Sequence, residues 1–130
     1  MAGRPQSSRG QPVHDPLPLT SHFDIVWFQD GARVYLLVFG EVDLASAPHL
    51  ADQVRRAAQT GLEVIVDLEG TTFMDCAGLG ALLEASADVG PARLSVTPGP
   101  PQVQRLFELA GITGLLRIAP RPLTLGRRAA

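Results

Sequence analysis

The stretch LEVIVDLEGTTFMDCAGLGALLEASADV, residues 62–89, carries two hydrophobic periods end to end. Leu62 to Leu68 is a short apolar run in which Val64, Ile65 and Val66 follow one another without a polar break. A β-branched run of that length reads as a strand covered on both faces. From about Gly78 to Val89 the spacing changes. Leu79, Leu82, Leu83 and Ser86 fall on one face of a helix, and Gly90-Pro91 ends it. A buried strand that feeds a helix is half of a crossover connection, so the chain is expected to return to the same sheet in parallel.

The same two periods repeat on either side. Phe23 to Gln29 (FDIVWFQ) is a strand candidate, Asp30 to Ala32 a turn signal, and Arg33 to Asp43 (RVYLLVFGEVD) a second strand apolar enough to be central. These two are expected to form a hairpin. Ser46-Ala47-Pro48 reads as an N-cap followed by a proline in the first helical turn. Leu50, Val54, Ala57 and Ala58 mark that helix's apolar face, and Gly61 stops it. Beyond the second helix, Ala92 to Val96 reads as a strand and TPGPP as a turn. Val103, Leu106, Phe107 and Ala110 form the face of a third helix closed by Gly111, and GLLRIA (114–119) is a short last strand.

The order is β-β-α-β-α-β-α-β. The fold class is α/β: a mixed sheet, mainly parallel with one antiparallel pair at the start, and helices packed on it. Residues 22–120 make the expected domain. Residues 1–21 are rich in Pro, Gly, Ser and Gln and are expected to be a disordered N-terminal tail. Residues 121–130 are expected to be a C-terminal tail, in which Leu123 and Leu125 could pair at a sheet edge.

Composition narrows the function. With 130 residues, one core buries enough apolar surface to need no disulfide, and the single cysteine cannot form one internally. One Cys and three His, two of them in the N-terminal region, are poor material for a metal centre, so no metal or cofactor is expected. The formal net charge of -2 gives no bulk attraction to nucleic acid or anionic lipid. All eleven basic residues are arginine. The first twenty residues lack a secretory apolar core, and no apolar run approaches the ~18 residues of a membrane span. A reduced, cytoplasmic setting without membrane insertion is the expectation.

Sites in open α/β sheets gather where strands hand over to helices. Phe73 to Gly80 (FMDCAGLG) is such a junction. Asp75 is placed to cap the helix, and Gly78 and Gly80 to let its backbone approach another surface. The helix N-terminus favours negative charge, so a phosphate would be stabilised there. Cys76, the lone thiol, reads either as a small buried filler or as a redox-sensitive thiolate favoured by the helix end. A Cys–His enzyme would need His49 as its base, since His14 and His22 lie in or beside the tail. No GxxxxGK[ST] phosphate cradle is present.

Four blocks in order resemble STAS domains, and within them bacterial anti-sigma factor antagonists. They are LLVFGEVDLASAPHL (36–50), EVIVDLEGTTFMDCAGLGALL (63–83), TPGPPQVQRLFELAGI (97–112) and GLLRIAP (114–120), together covering about residues 33 to 118. The resemblance implies a non-enzymatic binding module that sequesters an anti-sigma factor, typically a histidine-kinase-like ATPase, and so frees a sigma factor. It implies no direct contact with nucleic acid. It also implies a partner surface at Asp75, Cys76, Ala77, Gly78 and Leu79, with Asp43 as a possible further contact.

In the family a serine directly after the loop aspartate accepts phosphate from the kinase and ends the association. Here that position is Cys76, followed by Ala77, and neither is a serine-kinase substrate. The resemblance therefore implies the binding surface without the phosphorylation switch. It leaves a second reading, an accessory subunit of an ABC-type lipid transporter, whose loop is similar.

Overall fold

The computed structural model describes residues 22–112 and 114–119. The expected tails at 1–21 and 121–130 lie outside the described residues. Eight elements follow in the expected order: β1 (Phe23–Asp30), β2 (Arg33–Val42), α1 (Ala47–Ala58), β3 (Glu63–Met74), α2 (Cys76–Val89), β4 (Leu94–Val96), α3 (Pro101–Ala110) and β5 (Arg117–Ile118). They build one five-stranded sheet in the spatial order β1-β2-β3-β4-β5. β1 and β2 are the antiparallel hairpin, and the other neighbours are parallel. Each parallel step carries one helix, as a crossover requires.

The register sorts side chains between two faces. Val34, Val64 and Leu94 share one row, and Leu36, Val66 and Val96 the next. These six are buried together with Leu50 and Val54 of α1, Leu79, Leu82 and Ala85 of α2, and Val103 and Phe107 of α3. The main core is thus the space between one face of the sheet and all three helices. Each fully buried Val or Leu there contributes roughly 1.5–3 kcal/mol relative to exposure. The opposite face holds a small separate cluster of Tyr35, Ile65 and Ala119, with Leu37 packed against it.

Helix ends are held by named groups. The Arg93 guanidinium donates from Nη2 to the carbonyls of Ala58 (2.8 Å) and Leu62 (3.1 Å), where α1 gives way to β3. Such donors satisfy carbonyls that a helix C-terminus leaves unpaired. α1 and α2 are also joined at the surface by Arg55 Nε and Asp88 Oδ2 at 2.9 Å. Both partners are exposed, so that pair contributes at most about 1 kcal/mol.

Three local readings are corrected. Sequence spacing ended the third strand near Leu68, but β3 continues to Met74. EGTTFM pairs with the end of β2 through two register shifts, between Leu37/Phe39 and between Gly40/Glu41. A strand interrupted by bulges loses the strict alternation that periodicity detects. α2 begins at Cys76, two residues before the reading from its apolar face. Ser46 stands at the N-cap of α1 but makes no capping bond. Its hydroxyl donates instead to the Glu41 carbonyl at 2.9 Å, so its bonding serves the preceding loop.

Candidate functional site

Parallel pairing of β2 with β3 sets the site. Val42 and Met74 are register partners at the ends of the two strands, so the loops that follow them lie side by side. The Asp75 N–H donates to the Val42 carbonyl at 3.2 Å, joining the second loop to the end of β2. The site is therefore the end of the sheet where the chain leaves for α1 and for α2.

Asp75 holds the start of α2. Its Oδ1 accepts from the N–H groups of Ala77 (2.9 Å) and Gly78 (3.1 Å), with the backbone extended at the cap. This is the expected N-cap, and it satisfies two donors that the first helical turn leaves open. Cys76 is the first residue of the helix and is exposed. The reading of a buried filler is thereby overturned. A side chain at the first position of a helix leans toward the helix N-terminus, off the capped end.

His49, the base a Cys–His pair would need, lies edge-on to Phe23 with ring centroids 5.7 Å apart. Among the described residues no hydrogen bond joins it to Cys76. No group of three or more His, Cys, Asp or Glu side chains among the described residues could hold a metal ion.

The two glycines in the first turns of α2 behave differently. A Cβ on Gly78 would stand 2.7 Å from both the Val42 carbonyl oxygen and Val42 Cγ1, and 2.9 Å from Met74 Cγ. Only a glycine lets α2 start this close to the strand ends. Gly80 has nothing within 4 Å of the position a Cβ would take. The expectation of close approach holds for Gly78 and is corrected for Gly80, which faces open space.

Asp43 is placed in the neighbouring loop as an organiser. Its Oδ1 accepts from the N–H groups of Ala45 (3.0 Å) and Ser46 (3.1 Å) and lies 3.2 Å from Ser46 Oγ. The Asp43 N–H donates to Ser46 Oγ at 3.0 Å. These bonds fold residues 43–46 into a tight turn whose tip carries Leu44. Leu44 is 77% exposed, and Phe73, at the end of β3, is 47% exposed. Singly exposed apolar side chains are ordinary on a protein surface, so Leu44 and Phe73 stand here only as candidates for a contact.

The structure thus brings together Asp43, Asp75, Cys76, Ala77, Gly78 and Leu79. Leu79 turns inward, however, and is buried in the main core. It anchors the helix beneath the surface and is not part of it. Sequence reasoning missed Leu44. The signal was present, since an apolar residue inside a turn segment has no packing reason to be there.

Comparison with known proteins agrees with this architecture. A family model described as "Mlab, STAS domain" matches residues 28–117. A STAS-domain containing protein of Pseudomonas aeruginosa is 26% identical over 92 residues, spanning 69% of this chain and 91% of its own length. Among solved structures, an anti-sigma factor antagonist from Mycobacterium paratuberculosis superposes with a TM-score of 0.68 at 20% identity, covering 83% of this chain and 93% of that one. The unphosphorylated anti-sigma factor antagonist SpoIIAA gives 0.61 at 20% identity, covering 83% and 96%. At these identities the structural likeness shows the fold, while the family model spans most of the chain. With the strand order, the capped loop at Asp75 and this match in agreement, the chain belongs to the STAS domain family.

Proposed function

We propose that this chain is a regulatory binding module that sequesters an anti-sigma factor and so releases a sigma factor, without a serine-phosphorylation switch. The observation that carries the reading is Cys76: exposed, first in α2, on a loop fixed by the Asp75 cap, where the family places its acceptor serine. A thiol keeps nearly the size of a hydroxymethyl group, so the surface is preserved while a serine kinase has nothing to modify. In a switched relative, phosphate at this position would add nearly two charges within the contact and break it by repulsion and desolvation.

The contact surface consists of the loop backbone, Cys76 and Ala77, with Leu44 and Phe73 as apolar anchors. Asp43 and Asp75 hold the two loops in place. The partner that fits the reading is an anti-sigma factor of the histidine-kinase-like ATPase class, met in the cytoplasm. Among the described residues no helix is long and apolar enough to cross a membrane.

The same surface serves a second reading, docking on an ATPase as the accessory subunit of an ABC-type lipid transporter. It is retained because the matching family model and the structural neighbours carry different labels. Affinity capture of the wild-type protein from its source lysate, with and without added ATP, separates the two. Recovery of a kinase-like anti-sigma factor that stays bound in ATP supports the proposal. If ATP releases it, the switchless reading falls; if an ABC ATPase is recovered instead, the transporter reading replaces it. Cys76→Ser should restore phosphorylation by the recovered kinase and make the complex sensitive to ATP.

A further inference from the structure

The outer strand of the hairpin serves neither the loop site nor, over most of its length, the core. β1 is an end strand of the sheet, and no described strand lies beyond it. It is eight residues long and pairs with β2 without a register shift. It holds no proline, lysine or arginine, and its charged residues are Asp24 and Asp30 alone. Edge strands are usually blunted by lysine, proline, bulges or short length, because an open row of N–H and C=O groups is a template for pairing with another chain. Three consecutive apolar side chains of β1 are exposed: Val26 (45%), Trp27 (41%) and Phe28 (36%). An exposed apolar run of that length is a fault in a strand unless it has a use.

The ladder sets which backbone groups face outward. The Glu41 N–H donates to the His22 carbonyl at 3.0 Å, which makes His22 and Glu41 a hydrogen-bonded pair. In an antiparallel ladder such pairs alternate, so His22, Asp24, Val26, Phe28 and Asp30 turn their backbone bonds toward β2. Phe23, Ile25, Trp27 and Gln29 turn theirs away from the sheet. Of these, the Ile25 N–H is held by Asp24 Oδ1 at 2.9 Å, a bond that pairing must exchange. Side chains alternate as well. Phe23 and Ile25 lie on the helical face against the main core, and Trp27 Nε1 donates there to Gln53 Oε1 at 2.8 Å. Val26 and Phe28 lie on the open face, opposite Leu37 and Tyr35 of β2.

We infer that two copies of this chain pair β1 against β1, antiparallel about a two-fold axis through Val26, and so form one continuous sheet with five strands from each copy. A two-fold axis between antiparallel strands stands perpendicular to the sheet and keeps each face on its own side, so residues facing the helices oppose one another and those on the open face do likewise. Centred on Val26, the strand is complementary to itself. Val26 meets Val26 of the second copy, Ile25 meets Trp27, Asp24 meets Phe28, Phe23 meets Gln29 and His22 meets Asp30. The outward groups of Phe23, Ile25, Trp27 and Gln29 exchange ladder bonds. His22 donates to the Asp30 carboxylate at both ends, since an imidazole N–H can donate whether or not the ring is charged. Moving the axis to Trp27 sets Asp24 directly against Asp30 twice, and like charges so placed are destabilising. Moving it to Ile25 carries Gln29 and Asp30 past the end of the opposing strand. α1 packs on β2 and β3, so its two copies stand four strand spacings, about 19 Å, apart, well beyond the roughly 8–10 Å between packed helices. Strand reversal points the two Asp75 loops in opposite directions, so pairing covers neither.

Sedimentation equilibrium of the full chain over a concentration series tests this. The mass should rise from one chain, 13.8 kDa, to two and stop there. Val26→Lys sets two ammonium groups against each other on the axis, at a side chain exposed in the single chain. The dimer should be lost, with far-UV circular dichroism unchanged. Register is read by cross-linking in a Cys76→Ser background, which leaves one thiol. Val26→Cys should form an intermolecular disulfide on mild oxidation, because the opposed Cα atoms of a non-hydrogen-bonded pair lie about 4.5 Å apart. Asp30→Cys, about 27 Å along the ladder from its own copy, should not. His22→Asp should weaken the dimer, and the exchange His22→Asp with Asp30→His should restore it. One-chain mass up to millimolar protein overturns the inference, as does a mass that climbs past two chains or a dimer that survives Val26→Lys. A disulfide at Asp30→Cys and none at Val26→Cys, or an exchange that restores nothing, overturns the Val26 axis.

Discussion

Two glycines two residues apart in α2 should respond to the same substitution with opposite signs. In Gly78→Ala the new Cβ meets the Val42 carbonyl oxygen and Cγ1 at 2.7 Å and Met74 Cγ at 2.9 Å. The two side-chain atoms can shift slightly, but Val42 is fully buried in β2 and its carbonyl belongs to the backbone. Relief requires α2 to move away from the sheet. Overpacking of this kind costs about 1–3 kcal/mol. Alanine recovers up to about 1 kcal/mol of helix propensity at the same position. Because one of the clashing atoms is backbone, the upper half of the overpacking range applies, and the net expectation for Gly78→Ala is destabilisation of roughly 1–2 kcal/mol. In Gly80→Ala nothing lies within 4 Å of the new methyl, so the propensity gain stands alone. The expectation there is stabilisation of about 0.5–1 kcal/mol. Urea unfolding followed through Trp27 measures both. Near the melting temperature each 1 kcal/mol corresponds to about 4–8 °C for a domain of this size. A neutral or stabilising Gly78→Ala would refute the close approach of α2 to Val42. Gly80→Ala as harmful as Gly78→Ala would refute the contrast between them.

Other substitutions examine the remaining parts. Asp75→Ala removes the acceptor for two helix N–H groups and should cost about 1 kcal/mol, with Asp75→Asn costing less, both read by denaturant midpoint. Thr97→Val removes the hydroxyl that accepts from the buried Leu68 N–H at 2.9 Å, and should cost about 1–3 kcal/mol in the same assay. Leu44→Asp and Phe73→Asp change exposed side chains, so stability should stay within about 0.5 kcal/mol while affinity for the captured partner falls. Peroxide should weaken partner binding in wild type and spare Cys76→Ser if the exposed thiol is the oxidised group, measured by surface plasmon resonance. Equal loss in both would show that it is not.

The chain's own spacing carried most of the architecture. Apolar runs without alternation at Val64–Val66, helical faces at Leu50, Val54 and Ala57, and turn signals at Asp30-Gly31 are local features. They are legible because strand and helix periods differ and each element must bury one face. Asp75 as a cap was legible for the same reason: a short acceptor before a helix has one local job. The family blocks were legible as an ordered set, and they pointed to Cys76 before its surroundings were known.

Pairing across the chain decided the rest. β3 runs on to Met74 because β2 lies alongside to receive it, and bulges hide that continuation from any test of alternation. Gly78 and Gly80 are equivalent in the sequence and differ only in what stands opposite them. Leu79 was assigned to the surface with its neighbours, yet the helix rotation fixed by Val42 and Met74 turns it into the core. Cys76 could be filler or contact until the start of α2 was placed, and the capped end holds it outward. Which residues form elements is a short-range property of the chain; which of them meet solvent or a partner depends on the packing of segments distant in sequence.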